Sequence, residues 1–157
     1  MKNIIVTCFF VLMQLGILVH AQTNTTTDIY QKSQDGYACF RIPAIVKSKA
    51  GTLLAFAEAR KNSCSDTGNI DLVVKRSEDG GKTWSRIITV WDDGDNVCGN
   101  PSPIVDQETG RIILVSCWNL GEDHEKQIID KTSKDSRRVY VLYSDNDGKS
   151  WSTPKEI

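Results

Sequence analysis

The segment Ser77-Glu78-Asp79-Gly80-Gly81-Lys82-Thr83-Trp84 recurs 67 residues later as Ser144-Asp145-Asn146-Asp147-Gly148-Lys149-Ser150-Trp151. Each copy follows a run of alternating polar and apolar residues, at 71–76 and 138–143, which is typical of a β-strand. In such a turn a short acidic side chain accepts hydrogen bonds from the turn's own amides, glycine takes the left-handed conformation, and tryptophan fills the core below. Strands closed by a repeated turn and a tryptophan predict a β-propeller.

The rest of the chain is also typical of an all-β protein. Past Thr27 the apolar runs are short, β-branched and punctuated by Gly, Asn, Asp and Pro, and none has helical spacing. Residues 49–51 and 106–110 indicate hairpin turns, and residues 119–136 indicate a long charged loop, either functional or a solvated insertion. The predicted strands are residues 42–46, 52–57, 70–76, 85–91, 104–106, 111–117 and 138–143.

Composition excludes several classes of function. The chain has 157 residues, a net charge of -1 and a charged fraction of 25% with both signs interspersed, so it has no basic face for nucleic acid or an anionic membrane. The two histidines and the absence of a Cys-x-x-Cys pair argue against a zinc site, and neither glycine-rich turn has the carboxylates of a calcium loop. We therefore expect no metal, no cofactor and no nucleic-acid partner.

The first 21 residues are typical of a secretory signal peptide, because Lys2 is followed by an apolar run and then by small residues around Ala21. The run is short for a membrane helix, and no basic stop-transfer cluster follows it. We expect a secreted, periplasmic or cell-surface protein without stable membrane insertion after cleavage. A polar segment at 22–36 would then precede one incomplete domain at 37–157.

Export would allow the four cysteines after Cys8 to pair, with three alternative connectivities. Cys64 and Cys98 lie in loops rich in Gly, Asn, Asp and Ser, whereas Cys39 and Cys117 lie in or beside apolar runs, as buried thiols usually do. The sequence therefore favours a Cys64–Cys98 disulfide.

Two arginines, Arg41 and Arg60, each stand at the end of an apolar run. Guanidinium binds carboxylates with two parallel hydrogen bonds, so two arginines at neighbouring strand ends would clamp an anion, although a solvated charge is the alternative for either one. Asp66 follows in a Ser-Asp-Thr-Gly loop, where it either shapes the turn or acts as a general acid.

These residues together resemble the exo-α-sialidases (neuraminidases). The resemblance rests on Phe40-Arg41-Ile42-Pro43, Glu58-Ala59-Arg60, Asp66-Thr67-Gly68 and the two repeated turns, which are similar to Asp boxes, and it covers nearly all of residues 36–157. It implies an all-β, six-bladed propeller with the active site at its mouth, of which this chain holds about two to three blades. It also implies hydrolysis of terminal α-linked sialic acids, with sialylated glycoproteins, glycolipids and oligosaccharides as partners.

The resemblance also implies roles for particular residues. Arg41 and Arg60 would be two of three arginines on the substrate carboxylate, Asp66 the acid/base, Asn100 a contact to the hydroxyl at position 4, and Trp118 a wall of the acetamide pocket. Sialidases use a Tyr nucleophile paired with Glu, since a carboxylate nucleophile would be repelled by the substrate. The third arginine, this Tyr and its Glu have no counterpart in the sequence, so we expect them in a longer protein and expect the 157-residue chain alone to be inactive.

Two other functions stay open at this stage. An Asp-box propeller without catalysis would bind glycans or proteins and would need the repeated turns alone, and a trans-sialidase or another glycosidase would use the same fold. Arg41, Arg60 and Asp66 favour an enzyme, because a scaffold does not need an anion clamp beside an acid.

Overall fold

Eight β-strands follow one another in the computed structural model, which describes residues 26–157. They are β1 (Cys39–Lys47), β2 (Leu53–Arg60), β3 (Ile70–Ser77), β4 (Ile88–Trp91), β5 (Val97–Val105), β6 (Ile112–Asn119), β7 (Arg138–Ser144) and β8 (Lys155–Glu156). A short helix, α1 (Glu125–Ile129), lies between β6 and β7. The described residues contain no helix long and apolar enough to cross a membrane. The predicted signal peptide lies outside them.

The strands form two antiparallel meanders of four strands each. In the first meander β1 pairs with β2, β2 with β3 and β3 with β4, and in the second β5 pairs with β6, β6 with β7 and β7 with β8. A single parallel pair, Ile70 with Val97, joins β3 to β5 and makes one open eight-stranded sheet. This arrangement confirms the all-β prediction, while the number of six blades stays a prediction.

Most of the predicted strands and both hairpin turns are confirmed. Gly51 and Gly110 have φ angles of 94° and 83°, in the left-handed region that these turns need. The largest difference is β5, which begins at Val97 rather than at residue 104, because Gly99-Asn100-Pro101 forms a β-bulge where the sequence indicates a loop. Helix α1, which is short and has no buried residue, was not predicted, whereas residues 155–157 already resemble the start of a strand in the sequence and form β8.

The main core lies between the facing surfaces of the two meanders. The first meander contributes Leu54, Phe56, Leu72, Val74, Val90 and Trp91, and the second contributes Cys98, Ile112, Leu114 and Leu142. Strand β2 is buried along nearly its whole length. Its large side chains alternate with Ala55, Ala57 and Ala59, which leave room on the opposite face for Tyr30, Tyr37 and Phe40 of the preceding segment.

The first repeated turn is held by the carboxylate of Asp79. This carboxylate accepts hydrogen bonds from the hydroxyls of Ser77 and Thr83, at 2.8 and 2.6 Å, and from the amides of Lys82 and Thr83, at 3.0 and 2.9 Å. The hydroxyl of Ser77 in turn accepts from the amide of Gly81 at 2.8 Å. These bonds, led by the Thr83 hydroxyl, hold the pKa of Asp79 well below its usual range.

The second repeated turn makes most of these bonds with an amide in place of the carboxylate. Asn146 Oδ1 accepts from the hydroxyl of Ser144 at 3.0 Å and from the amide of Ser150 at 2.9 Å, while its Nδ2 donates to the hydroxyl of Ser150 at 2.7 Å. The Ser144 hydroxyl accepts from the amide of Gly148 at 2.9 Å. In the first turn the hydroxyl of Thr83 donates to Asp79, whereas in the second turn the hydroxyl of Ser150 accepts from Asn146. Because a hydroxyl can donate or accept, asparagine can take the place of aspartate.

The second turn also docks onto the first meander. Asp147 accepts hydrogen bonds from Arg76 and from the hydroxyl of Thr52, and Trp151 packs edge-on against Phe56 at 5.5 Å between ring centroids. A Cβ at Gly148 would lie 2.2 Å from Leu54 Cδ2, so no other residue fits there without displacing the core.

The predicted Cys64–Cys98 disulfide is wrong, because the structure pairs Cys64 with Cys39. Cys39 lies opposite Arg60 at the end of the β1–β2 ladder, and the loop after β2 turns back over this end, which places the two Cα atoms 5.2 Å apart. Cys98 is instead fully buried in the main core, where burial raises the pKa of its thiol. Cys117 is also free, as the sequence indicates.

We expect Asp79→Ala to lower the melting temperature by several degrees and Asp79→Asn to lower it much less, since the amide of Asn146 makes most of the corresponding bonds in the second turn. Thermal unfolding followed by circular dichroism at neutral pH measures both, with Asn146→Ala as the matched change in the second turn. Because the pKa of Asp79 is depressed on folding, its contribution is present at neutral pH and is lost as the pH falls through the folded-state value. Equal losses for the two Asp79 variants would contradict this account.

Peptide mapping without reductant should recover one linked peptide pair that contains Cys39 and Cys64. Cys39→Ser should lower the free energy of unfolding by about 2–4 kcal/mol, because the bond closes a loop of moderate length in the unfolded chain. Cys117→Ser, which breaks no disulfide, is the control. A peptide that links Cys64 to Cys98 would contradict the structure.

Candidate functional site

One face of β2 changes from apolar to charged along its length. Leu54 and Phe56 fill the main core, and the next two side chains on the same face are Glu58 and Arg60. Both charged side chains are almost fully buried, with 4% and 3% of their surfaces exposed. A buried charge is costly unless it is paired and hydrogen-bonded, so their partners define the site.

The guanidinium of Arg60 makes four hydrogen bonds and one further ion pair with protein oxygens. Nε and one N–H of Nη2 bind Glu58 Oε2 at 3.2 and 2.6 Å, and Nη1 donates to the backbone oxygens of Cys64 and Ser65, at 2.7 Å each. Nη2 also binds Asp66 Oδ1 at 2.7 Å. Arg60 therefore fixes the loop that carries Asp66, and its guanidinium is surrounded by protein oxygens while Asp66 stays bound.

Arg41 and Asp66 are the more accessible members of the site. Arg41 Nη1 binds the same Asp66 oxygen at 2.8 Å, and the side chains are 45% and 70% exposed. Apart from this bond the guanidinium of Arg41 makes no side-chain hydrogen bond within residues 26–157. Arg41 is thus placed to exchange Asp66 for another carboxylate.

The hydrogen bond from the Arg60 guanidinium is the main reason why the pKa of Asp66 lies below its ordinary value. The positive charges of Arg60, Arg41 and Arg137 lower this pKa further by smaller amounts. In the unliganded site Asp66 is therefore ionised. An anion that binds Arg41 would neutralise a positive neighbour of Asp66 and would raise the pKa of this carboxyl toward its ordinary range.

Two matching β-bulges shape the backbone beside these side chains. The β1–β2 register shifts between Arg41 and Ala44, and the β5–β6 register shifts between Gly99 and Ser102. Ile42 and Asn100, each followed by proline, have φ angles of 51° and 54°. A positive φ is rare for a β-branched residue such as isoleucine and is found where function over-determines the backbone.

The second bulge connects Glu58 to the other meander. Glu58 Oε1 accepts a hydrogen bond from the amide of Asn100 at 2.9 Å, and a Cβ at Gly99 would lie 2.6 Å from the same oxygen. Only glycine leaves space for this carboxylate. Glu58 thereby binds Arg60 with one oxygen and β5 with the other.

A cleft of roughly 200 Å³ brings these groups together, which is the scale of one monosaccharide. Its lining is mostly polar and consists of Ile42, Glu58, Arg60, Asp66, Ile70, Val97, Asn100, Glu125 and Arg137. The structure therefore places Asp66, Arg60 and the predicted Asn100 in one cleft, with Arg41 bound to Asp66 at its edge. Within residues 26–157, no cluster of three His, Cys, Asp or Glu side chains is arranged to hold a metal ion.

Two residues of the cleft, Glu125 and Arg137, were missed by the sequence analysis. They belong to the charged segment between β6 and β7, where they are two of many charged residues. The alternation that predicts β7 stops at Arg138, so nothing local distinguishes Arg137 from a solvated arginine. Only the pairing of β7 with β6 brings it to the rim.

Trp118 does not line this cleft. Its indole packs against the main core, lies 6.5 Å from the ring of Tyr140, and donates from Nε1 to Asp93 at 2.7 Å. The guanidinium of Arg138 covers its ring at 5.4 Å. The expectation that Trp118 forms an acetamide pocket thus has no support from its position here.

A larger groove of roughly 500 Å³ lies between the segment before β1 and the outer face of β1 and β2. Tyr30, Phe40, Pro43, Ile45 and Phe56 make it largely apolar. Tyr30 and Tyr37, near this face, have raised pKa values because they are buried. Arg41 and Asp28 also line this groove, whereas Arg60 and Asp66 line the smaller cleft, which no tyrosine of the described residues lines.

Comparison with known proteins identifies relatives of the chain. Residues 51–157 match the model of the BNR repeat-like domain. The chain is 33% identical over 139 residues to an exo-alpha-sialidase of Aspergillus fumigatus, covering 78% of this chain and 34% of that protein. It is 32% identical over 136 residues to a sialidase of Bacteroides fragilis, covering 78% of this chain and 25% of that protein. The chain thus spans about a third or less of the length of these curated relatives.

Solved structures give the same result for the fold. The Hadza microbial sialidase Hz136 superposes with a TM-score of 0.69 at 28% identity, covering 78% of this chain and 27% of that one. The NanB sialidase of Streptococcus pneumoniae superposes with a TM-score of 0.69 at 16% identity, covering 83% and 38%, which supports the fold alone. The two meanders therefore have the all-β architecture of sialidases, and the chain belongs to the family of BNR repeat-like domains, within which its relatives are sialidases.

Proposed function

We propose that the protein containing this chain is an exo-α-sialidase that hydrolyses terminal α-linked sialic acids on glycoproteins, glycolipids and oligosaccharides. The observation that carries the proposal is the shared Asp66 oxygen, which binds Arg41 and Arg60 at 2.8 and 2.7 Å beside a cleft of monosaccharide size. Sialic acid carries a carboxylate on its anomeric carbon, so its hydrolysis needs a cation for that group and an acid for the departing oxygen, close to each other.

Arg41 is the residue that binds the substrate carboxylate in this proposal. Its guanidinium is about half exposed and already holds a carboxylate, that of Asp66, in the unliganded site. A planar guanidinium binds both oxygens of a carboxylate in a fixed geometry, which orients the sugar ring as well as attracting it. Arrival of the substrate exchanges one carboxylate for another at Arg41.

Arg60 acts through Asp66 rather than on the substrate. Its guanidinium is hydrogen-bonded to Glu58 and to the backbone at Cys64 and Ser65 and forms an ion pair with Asp66, so it serves as a positioning residue for the acid. This differs from the role of carboxylate clamp that the resemblance implies for it. The geometry favours positioning because the same side chain is only 3% exposed.

Asp66 protonates the leaving oxygen and then activates water. For the first step the carboxyl must be protonated, although its pKa is lowered in the unliganded site. The substrate carboxylate reduces this difficulty when it binds Arg41, because a negative charge near Asp66 raises the pKa of the acid, although the contact with Arg60 continues to lower it. Binding and protonation of the acid are thereby coupled.

A tyrosine with a paired glutamate is the nucleophile of sialidases, and a tyrosine suits a substrate whose carboxylate repels anions. The four tyrosines of this chain all lie away from the cleft. We place the nucleophile, its glutamate, the remaining arginines and the further blades of a six-bladed propeller in the part of the relatives' length that this chain does not span.

Export through a signal peptide at residues 1–21 is part of the proposal. The Cys39–Cys64 disulfide supports it, because disulfides persist in oxidising compartments. The disulfide ends two residues before the proposed acid, at the loop that Arg60 also holds.

Asp66→Asn in the whole protein should reduce hydrolysis of a natural sialoside by about 10²–10⁴-fold, because asparagine has no proton to exchange. Hydrolysis of an aryl sialoside should fall much less, since an acidic phenol leaves without protonation. Steady-state kinetics on both substrates measure the difference. A small and equal loss on the two, with a lower melting temperature, would mean that Asp66 only shapes its turn.

Arg41→Lys should lower kcat/KM by about tenfold or more, chiefly through KM, because an ammonium is a point charge without the planar fork of guanidinium. Arg41→Gln should also move the alkaline limb of the kcat/KM profile to higher pH, since loss of a positive neighbour raises the pKa of Asp66 in the free enzyme. Lys49→Gln, at an exposed lysine in the turn after β1, is the control for removal of a charge. Unchanged kcat/KM in both Arg41 variants would remove this residue from the site.

A further inference from the structure

Three connections between strands meet at Gly121, which is buried. The first connection, the acid loop, joins β2 to β3 and carries Asp66. The second, the linker, joins the two meanders, and the third is the turn that follows β6. They comprise residues 61–69, 92–96 and 120–124. The acid loop belongs to the first meander and the turn to the second, so at Gly121 one meander contacts the loop that carries the acid of the other.

Backbone atoms make the contact between the acid loop and the turn. The amide of Gly68, two residues after Asp66, donates a hydrogen bond to the carbonyl oxygen of Gly121 at 2.7 Å. The amide of Gly121 donates to Asn96 Oδ1 of the linker at 3.3 Å. Gly121 therefore binds the acid loop with one backbone group and the linker with the other.

No side chain fits at Gly121. A Cβ at this position would lie 1.8 Å from the backbone oxygen of Asp95 and 3.1 Å from that of Gly68. Both obstacles are backbone atoms, which cannot turn away as the end of a flexible side chain can. The φ angle of Gly121 lies outside the left-handed region, so glycine is required here for space and not for its conformational freedom.

The turn has its own supports within the second meander. The carboxylate of Asp123, which is buried, accepts hydrogen bonds from the amides of Lys134 and Asp135 at 2.9 and 3.1 Å. These bonds tie the turn to the segment that enters β7. Asn119, also buried, donates from Nδ2 to the backbone oxygen of Leu120 at 2.9 Å. The position of the turn is thus set without help from the acid loop.

The linker is held as well, and Trp118 takes part in holding it. Trp118 Nε1 and Asn96 Nδ2 both donate to Asp93 Oδ2, at 2.7 and 2.8 Å. The bond to Asp93 orients the Asn96 amide so that its oxygen faces the amide of Gly121. The backbone oxygen of Asn96 accepts from the amide of Ile70 at 3.1 Å. Trp118, which lies away from the cleft, therefore supports the linker against which Gly121 packs.

The acid loop is held near its start by the first meander. Cys64 is bound to Cys39, and Arg60 Nη1 binds the backbone oxygens of Cys64 and Ser65. Asp66 follows these contacts and precedes the bond from Gly68 to Gly121. Without that bond, the backbone around Asp66 would be supported on one side only.

We propose that Gly121 is a positioning residue for Asp66, because its bare backbone lets the second meander approach the acid loop closely enough to hold Gly68. The inference rests on the proposed function, in which Asp66 protonates the leaving oxygen. A misplacement of about 1 Å can cost on the order of 10²-fold in rate, so a support two residues from the acid matters for catalysis.

Gly121→Ala in the whole protein tests the inference, with Gly110→Ala as the matched control. Gly110 lies in the turn between β5 and β6, at the other end of β6, and has a φ angle of 83°. Alanine there is strained and lowers stability without touching the acid loop. We would measure kcat and KM on a natural sialoside and on an aryl sialoside, with thermal unfolding of each preparation.

Gly121→Ala should lower kcat on the natural sialoside by about ten- to a hundredfold and kcat on the aryl sialoside much less, because an acidic phenol leaves without protonation. KM should change little on either substrate, since Arg41 stays in place. Gly110→Ala should lower the melting temperature without changing the ratio of the two kcat values.

If Gly121→Ala fails to fold, Asn96→Ala carries the test, because it removes the acceptor of the Gly121 amide while adding no atoms. It should change the ratio of the two kcat values in the same direction and by less. An unchanged ratio in the variant that folds, even with a lower melting temperature, would overturn the inference while leaving wild-type activity as support for the proposed function.

A wild type that hydrolyses neither sialoside would contradict the proposed function. NMR titration of the isotope-labelled Asp66 carboxyl, assigned with Asp66→Asn, then decides the inference separately. The pKa of Asp66 should be higher in the Gly121 or Asn96 variant than in wild type, because the carboxylate moves away from the guanidinium groups of Arg60 and Arg41. Gly110→Ala should leave this pKa unchanged. Equal pKa values in wild type and the variant would overturn the inference.

Discussion

The guanidinium of Arg60 lies buried in the protein, where it makes four hydrogen bonds, two of them to backbone oxygens, and an ion pair with Asp66. A buried charge that loses a partner costs several kcal/mol, roughly 3–5, so these oxygens must hold one arrangement. That arrangement fixes the loop of Asp66 on one side and Glu58 on the other. Glu58 then binds the amide of Asn100, which ties the second meander to the same charge.

The two meanders use one backbone device with different side chains. Each first strand carries a bulge with a residue of positive φ before a proline, at Ile42 and at Asn100. The residue before it is Arg41 in one meander, where a cation faces Asp66, and Gly99 in the other, where space for Glu58 is required. The two meanders thus share one backbone arrangement. The different residues at its matching positions give the site a positive charge at Arg41 and space for the Glu58 carboxylate at Gly99.

The sequence predicts the parts of this structure that depend on local patterns. The repeated turns, the strand alternation and both hairpins follow from residues close to one another, and Arg41, Arg60 and Asp66 stand out by their positions at strand ends. The disulfide and the places of Trp118 and Arg137 depend on which strands pair. Cys39 lies opposite Arg60 because of the β1–β2 register, and Arg137 reaches the cleft because β7 pairs with β6, where Asn119 accepts a hydrogen bond from its guanidinium. Such contacts join residues far apart in sequence, which no local pattern reports.

Because the second repeated turn packs on the first meander, part of the first meander's apolar core is synthesised well before the residues that cover it. Leu54 and Phe56 leave the ribosome early, yet the surfaces that cover them include Gly148 and Trp151, near the other end of this chain. About ninety residues must be made before that cover exists, at a few to some tens of residues per second. The apolar face of the first meander therefore lacks this cover for seconds during synthesis, and the length of the second meander determines how long a chaperone has to shield it.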